Sequence, residues 1–260
     1  MQVPNQRRIF KWKGVAGACL RPGSQLGPPT PIGDSWIMNF ETGFFAVCDG
    51  SDRNPQASWK FLIQFERMVA NTAAMKLAKP LKTHQLIVLK EKFDAESRKL
   101  LNSALGSFSC AITGICLAHT EVGLAGIILH TGDSSLYEFD SSTSSVGELT
   151  QRNFWLVGRT KKLFQISISE ISLSKSLILS TDGVPLFIHL QKPEIRSTIS
   201  RIVRKETISD APEKIINMMR PVDGFEDDAT VISLSMSGIH AAKKRMIISG
   251  NDGQSLSGAL

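Results

Sequence analysis

The chain has 260 residues, 42% hydrophobic and 21% charged, with a formal net charge of +6. That balance is the one of a soluble globular protein with a substantial core. It excludes a transmembrane helix, because no apolar run reaches ~18 residues, and the opening "MQVPNQRRIFKWKG" lacks the apolar centre of a secretion signal.

The first 33 residues show little periodicity, and "LRPGSQLGPPTPIG" reads as a loop dense in proline and glycine. "SWIMN" (35–39) and "GFFAVCD" (43–49) form an expected β-hairpin. A helix follows, capped by Asn54 with Pro55 at its first position. Its buried stripe is Phe61, Phe65, Met68, Val69 and Ala73. Pro80 separates it from a second helix over 82–104, with Leu86, Leu89, Phe93, Leu100, Leu101 and Leu105 inward. The period then shortens. "SFSCAITGICLAH" and "GLAGIILHT" make a second hairpin, and "SSLYEFD" a third strand. "SSTSSVGEL" reads as a polar loop. Residues 163–173 alternate as a half-buried strand does, and "SLILST" continues as a strand. Short helices cover "GVPLFIHL", "KPEIRSTISRIV" and "APEKIINMM" before a last strand, "ATVISLSM". Without βαβ alternation, the expected class is α+β: an antiparallel β-sandwich flanked by helix pairs, in α-β-β-α layers. Residues 1–240 form the expected single domain and 241–260 a flexible basic tail.

The apolar runs stop on acids. Asp34, Asp49, Asp133 with Asp182, and Asp227-Asp228 each lie at the end of an expected strand. Strand ends at one end of a sandwich converge, and crowded carboxylates repel unless protonated or neutralised by cations. An oxygen-rich, sulfur-free cluster suits magnesium or manganese. Two such ions ~4 Å apart can generate hydroxide and clamp a phosphoryl group. The glycines after Asp49 and Asp182 permit a tight turn and close approach of a carbonyl. Taken singly, each corner is also an ordinary Asp-Gly turn.

In order, "FFAVCDGSD", "IILHTGDSSLYEF", "LILSTDGVP" and "DDATVISL" resemble the metal-dependent serine/threonine phosphatases of the 2C type, the PPM family. "GDSW" (33–36) resembles that family's first motif, and "GSFSCAITGICLA" the strand before its "GDS". The resemblance spans residues 12 to 236. It implies a β-sandwich flanked by helix pairs with two Mn²⁺ or Mg²⁺ ions at one end. On it, Asp49 bridges both ions and Gly50 gives its carbonyl to the first. Asp182 and Asp227 hold the second, and Asp133 with Asp182 sits near a third, weaker position. Asp34 matches the acid that supports a metal-bound water. A metal-bridging hydroxide would attack phosphorus in line, with no phosphoenzyme.

The chain departs from the pattern in places. Gly33 stands where the family carries an acid, "DGSDR" replaces "DGxGG", and "GPPTP" occupies the place of a phosphate-binding arginine. Arg53, Arg7 and Arg8 are the candidates to replace that arginine. The segment between 140 and 175 is short, so a reduced flap is expected. Ser134 has no evident histidine base. His130 is close to the Asp133 corner, but the five histidines lack metal-ligand spacing, and Trp12, Trp36, Trp59 and Trp155 read as packing residues. The expected partner is a phosphorylated protein, with no membrane association. Basic residues are too dispersed for a nucleic-acid groove. Cys19, Cys48, Cys110 and Cys116 form no close pair and suit a reducing, cytoplasmic compartment. The leading activity is a metal-dependent phosphoserine/phosphothreonine phosphatase. The alternatives are a pseudophosphatase serving as a binding module, and a two-metal nuclease.

Overall fold

The structure, a computed structural model, describes residues 8–12, 14–23, 32–51, 55–73, 80–107, 109–140, 142–143, 145–184, 186, 190–204, 208–218, 227–241 and 247–250. In chain order the strands are β1 (Arg8–Trp12), β2 (Ala16–Arg21), β3 (Ser35–Asn39), β4 (Phe44–Gly50), β5 (Cys110–Thr120), β6 (Gly123–Thr131), β7 (Ser135–Asp140), β8 (Val146–Glu148), β9 (Gln165–Ile171), β10 (Lys175–Ser180), β11 (Ala229–Ser235) and β12 (Ile247–Gly250). The helices are α1 (Pro55–Ala73), α2 (Thr83–Ala104), α3 (Pro193–Arg204), α4 (Ala211–Met218) and α5 (Met236–Ala241). Two six-stranded antiparallel sheets result, ordered β1-β2-β11-β10-β7-β8 and β12-β3-β4-β5-β6-β9. The architecture is the expected α+β sandwich with outer helices.

Three apolar cores separate the four layers, and the period-2 geometry of the strands sorts side chains between them. From β4, Phe44, Ala46 and Cys48 face α1 and α2, where they meet Phe61, Phe65 and Phe93. Phe45 and Val47 point the other way, into the space between the sheets, against Leu177, Leu179, Ile232 and Leu234. The opposite faces of β10 and β11 send Ile178 and Val231 under α3 and α4, against Ile199 and Ile215. A strand buried on both faces carries no polar alternation. That accounts for the apolar runs of β4 and β10, while β11 buries Thr230 and Ser233 as well.

The same burial hides β2 from a sequence reading. Ala16, Ala18 and Leu20 line the inter-sheet core and Cys19 lies under the helices, so small residues without alternation pass for a loop. β1 and β2 therefore occupy part of the stretch expected to be irregular. A second difference is β8, which pairs with β7 inside the expected polar loop. A third is β12, which pairs with β3 at the sheet edge and lies within the segment read as a tail. In α2, Leu105 falls beyond the helix and is 38% exposed, while Ser97 occupies the inward stripe. Its hydroxyl is satisfied by the Asp94 carbonyl, as a buried polar group requires. Asn54 lies outside the described residues.

Gly17 sets how closely the outer layer can approach β2. A Cβ there would come within 2.2 Å of the Ser209 carbonyl oxygen, in the single-turn helix Ile208–Asp210 that precedes α4. Gly17→Ala is expected to push that turn away from the sheet and cost ~2–4 kcal/mol. Urea denaturation checks this, and an unchanged midpoint would refute the close-packing role.

Candidate metal centre

Strand register brings the acidic corners to one rim. In one sheet Ser35 pairs with Cys48, Asp49 with Ala111, and Ile112 with Thr131. In the other, Ser135 pairs with Ser180 and Ala229 with Arg21. Asp34 precedes β3, Asp49 is in the last turn of the pleat of β4, Asp133 links β6 to β7, Asp182 follows β10, and Asp227-Asp228 lead into β11. All of these positions face the same end of the sandwich.

The acids fall into two groups. Asp34 and Asp228 are buried and tied down by the protein itself. The Asp34 Oδ2 accepts from the hydroxyls of Thr181 at 2.7 Å and Thr230 at 2.8 Å. Asp228 accepts from the backbone N–H of Gly23 at 2.7 Å and of Gly33 at 2.6 Å. Gly33 is a junction: its carbonyl takes the Gly50 N–H at 3.1 Å and the Ser58 hydroxyl. The place where the resemblance leads one to expect an acid is thus used for its backbone.

Asp49, Asp133 and Asp182 form the second group. One carboxylate oxygen from each lies within 4.8 Å of the others, and all three side chains are half-buried. Asp182 Oδ1 is buried with no hydrogen-bond partner among the described residues. Burial, reinforced by Asp182, holds the Asp49 carboxyl well above the usual carboxylate range. Burial, reinforced by Asp133, also raises Asp182. Asp34 is raised strongly by burial and then by Asp49 and Asp228, against its two hydroxyl bonds. An orphaned carboxylate oxygen among converging, proton-hungry acids is what a hard divalent cation satisfies, so the residues present fit one.

Asp227 is exposed and its carboxylate accepts the Asp228 N–H. It is not one of the three acids that converge within 4.8 Å, but its charge acts on both Asp49 and Asp182. Arg53 and Arg7 lie outside the described residues, and Arg8 begins β1 opposite Leu20 at this same end. Trp155 is 42% exposed rather than packed inside. His130 is wholly buried beneath the rim. Its Nε2–H donates to the Gln151 carbonyl at 2.9 Å and its Nδ1 accepts from Thr113 at 2.8 Å. Burial lowers its pKa to about 4, so it is a neutral strut and no cation at neutral pH.

Gly183 lies in the turn after β10, closed by the Val184 N–H on the Thr181 carbonyl at 3.1 Å, and it has a second role. Its φ is not positive, yet a Cβ would meet the Asp228 carbonyl oxygen at 1.8 Å. The missing side chain lets β10 and β11 close together behind Asp182. Gly132, before Asp133, does adopt a left-handed φ of 110°, which disfavours any side chain there. Sequence reasoning did not single out Thr181, Thr230 or the buried role of Asp228. The adjacency of each to a flagged acid was the available signal.

No protein-family model and no curated protein matches the chain. Solved structures do. The serine/threonine phosphatase PstP of Mycobacterium tuberculosis matches with 15% identity and a TM-score of 0.57, over 85% of this chain and 98% of that one. The PstP catalytic domain in complex with two manganese ions gives 14%, 0.58, 85% and 98%. RsbX in complex with magnesium gives 10%, 0.55, 88% and 99%. The chain therefore has the fold of the 2C-type phosphatases.

Raised carboxyl pKa values set a stability prediction. Asp34, Asp49 and Asp182 bind protons more tightly folded than unfolded, where Asp titrates at ~3.9. The stability they contribute is complete below that value and is lost as pH rises through their folded pKa values. At pH 7 in chelator, Asp182→Asn is accordingly expected to raise the melting midpoint by ~2 °C or more, and Mn²⁺ to raise that of the native chain. Calorimetry at pH 5 and 7 checks both, with His130 common to every arm. A lowered midpoint for the variant in chelator would contradict the repulsion.

Proposed function

We propose that the protein is a phosphoprotein phosphatase that hydrolyses phosphoserine or phosphothreonine with two Mn²⁺ or Mg²⁺ ions at the acidic rim. The observation that carries this is the convergence of Asp49, Asp133 and Asp182 within 4.8 Å, at the end of a fold shared with metal-bound phosphatases. In this reading Asp49 would serve both ions, with the Gly50 carbonyl beside it. Asp182 and Asp227 would serve the second, and Asp133 would hold a weaker third next to Asp182. Bound there, divalent ions supply an acidified water as nucleophile and neutralise the charge of the phosphoryl group.

The chain's own residues do the rest. Asp34 stays behind Asp49, held by Thr181 and Thr230 and within reach of the Asp49 charge, a position from which it would support a water held at the rim. Asp228 locks Gly23 and Gly33 and so fixes the approach to β3. Among the described residues Ser134 is buried without a hydrogen-bond partner for its hydroxyl and no histidine base is paired with it, which disfavours a serine nucleophile. No described helix is long and apolar enough to cross a membrane. The substrate in this reading is a phosphorylated protein and neither lipid nor nucleic acid. Four buried cysteines that form no disulfide suit a cytoplasmic location.

Hydrolysis of para-nitrophenyl phosphate with manganese, magnesium or chelator tests the reading, with Asp182→Asn in parallel. Turnover is expected only with metal, and about a hundredfold or more lower in the variant. Phosphothreonine peptides are expected to outcompete phosphotyrosine peptides. A folded, metal-binding protein without turnover would instead identify a pseudophosphatase that uses the site to hold a partner.

A further inference from the structure

The rim is acidic, and a phosphoryl group approaching it needs a cation that belongs to the protein. The segment 149–155 carries one. Leu149 N–H donates to the Leu136 carbonyl at 2.9 Å, and Leu136 N–H to Thr150 Oγ1 at 2.9 Å. Gln151 is held on both sides, its N–H by Gln165 Oε1 at 3.0 Å and its carbonyl by His130. Asn153 makes a reciprocal pair with Gly132: its N–H donates to the Gly132 carbonyl at 2.9 Å, and its Oδ1 accepts the Gly132 N–H at 3.0 Å. That Oδ1 also accepts the Trp155 N–H at 3.0 Å. Arg152 stands between the two best-anchored residues of this strap, and Gly132 is the residue before Asp133.

Its side chain is exposed, and its charge acts on Asp182 on one side and on Glu148 and Tyr137 on the other. The strap, clasped to Gly132 beside Asp133, therefore holds a guanidinium within electrostatic reach of Asp182. The backbone ordering that a mobile arginine would have to undergo on binding is already complete. Guanidinium matches phosphate with two parallel N–H bonds.

We propose that Arg152 binds the phosphoryl oxygens of the substrate at the Asp49–Asp133–Asp182 rim, a substrate-binding role that rests on the phosphatase reading above. It takes the place left by the "GPPTP" stretch, from a different part of the chain. Asn153 and His130 are positioning residues that hold the strap under it. Lys162, by contrast, lies over the Trp155 ring, 5.7 Å from its centre. Among the described residues a competing cation is Arg21, which ends β2 opposite Ala229.

Two measurements on the full chain with manganese test this. In para-nitrophenyl phosphate hydrolysis, Arg152→Gln is expected to raise KM about tenfold with kcat changed less than about threefold, and Arg152→Lys to recover part of the loss. In calorimetric titration with inorganic phosphate, Arg152→Gln is expected to weaken affinity about tenfold, and Arg21→Gln less than twofold. The titration decides even if the native chain turns nothing over, an outcome that would sink the phosphatase reading by itself. Unchanged phosphate affinity in Arg152→Gln overturns the proposal, as does a larger loss in Arg21→Gln. Asn153→Ala is expected to raise KM in the same direction while leaving metal affinity intact; loss of metal binding instead would make the strap merely structural.

Discussion

Like charge gathered at one rim of a β-sandwich is the constraint around which the surrounding chain is arranged. The molecule handles it in two ways. Two of the acids, Asp34 and Asp228, accept hydrogen bonds from threonine hydroxyls and backbone N–H groups. Asp49, Asp133 and Asp182 converge on one another instead, and Asp182 keeps an oxygen with no partner among the described residues. The internal pair braces the open trio: Thr181 immediately precedes Asp182, and Asp228 immediately follows Asp227. Repulsion is thereby directed toward the one place where an external cation can relieve it.

The layering makes that direction possible. Because β4, β10 and β11 are buried on both faces, their ends cannot shift without disturbing two cores at once. Groups that extend directly from such strands hold their positions more closely than groups on long loops. Close approaches at Gly17 and Gly183 leave no slack between neighbouring backbones. The strap at 149–155 is the complement: little regular structure, but hydrogen bonds at nearly every residue, so that polar chemistry does for Arg152 what apolar packing does for the aspartates.

Much of this was legible in the residues. Both helices of the first pair were announced by proline positions and a 3.6-residue apolar stripe, and the β3–β4 and β5–β6 hairpins by branched apolar runs. The acidic corners were visible because several apolar runs halt on a carboxylate, a repetition that no single Asp-Gly turn explains. What stayed hidden was whatever depends on partners far away in sequence. β2 is made of small residues whose two-sided burial erases alternation. Asp227 and Asp228 look interchangeable, yet one is exposed and the other is buried on two glycine N–H groups. Gly183 is the turn residue it resembled and a spacing residue as well, which nothing local reveals. Arg152 lay in an unremarked polar stretch, since nothing local reveals that Asn153 will clasp Gly132.

The Asp228 cradle also has a bearing on the order of assembly. Its bonds join residues 205 and 195 positions apart in the chain, and the Thr230–Asp34 bond spans 196. Contacts of that separation close large loops and form late, after local hairpins and helix pairs are in place. During synthesis the acids of the first half are made long before β11 leaves the ribosome. The Asp228 cradle and the Thr230–Asp34 bond exist only once β11 lies between β2 and β10.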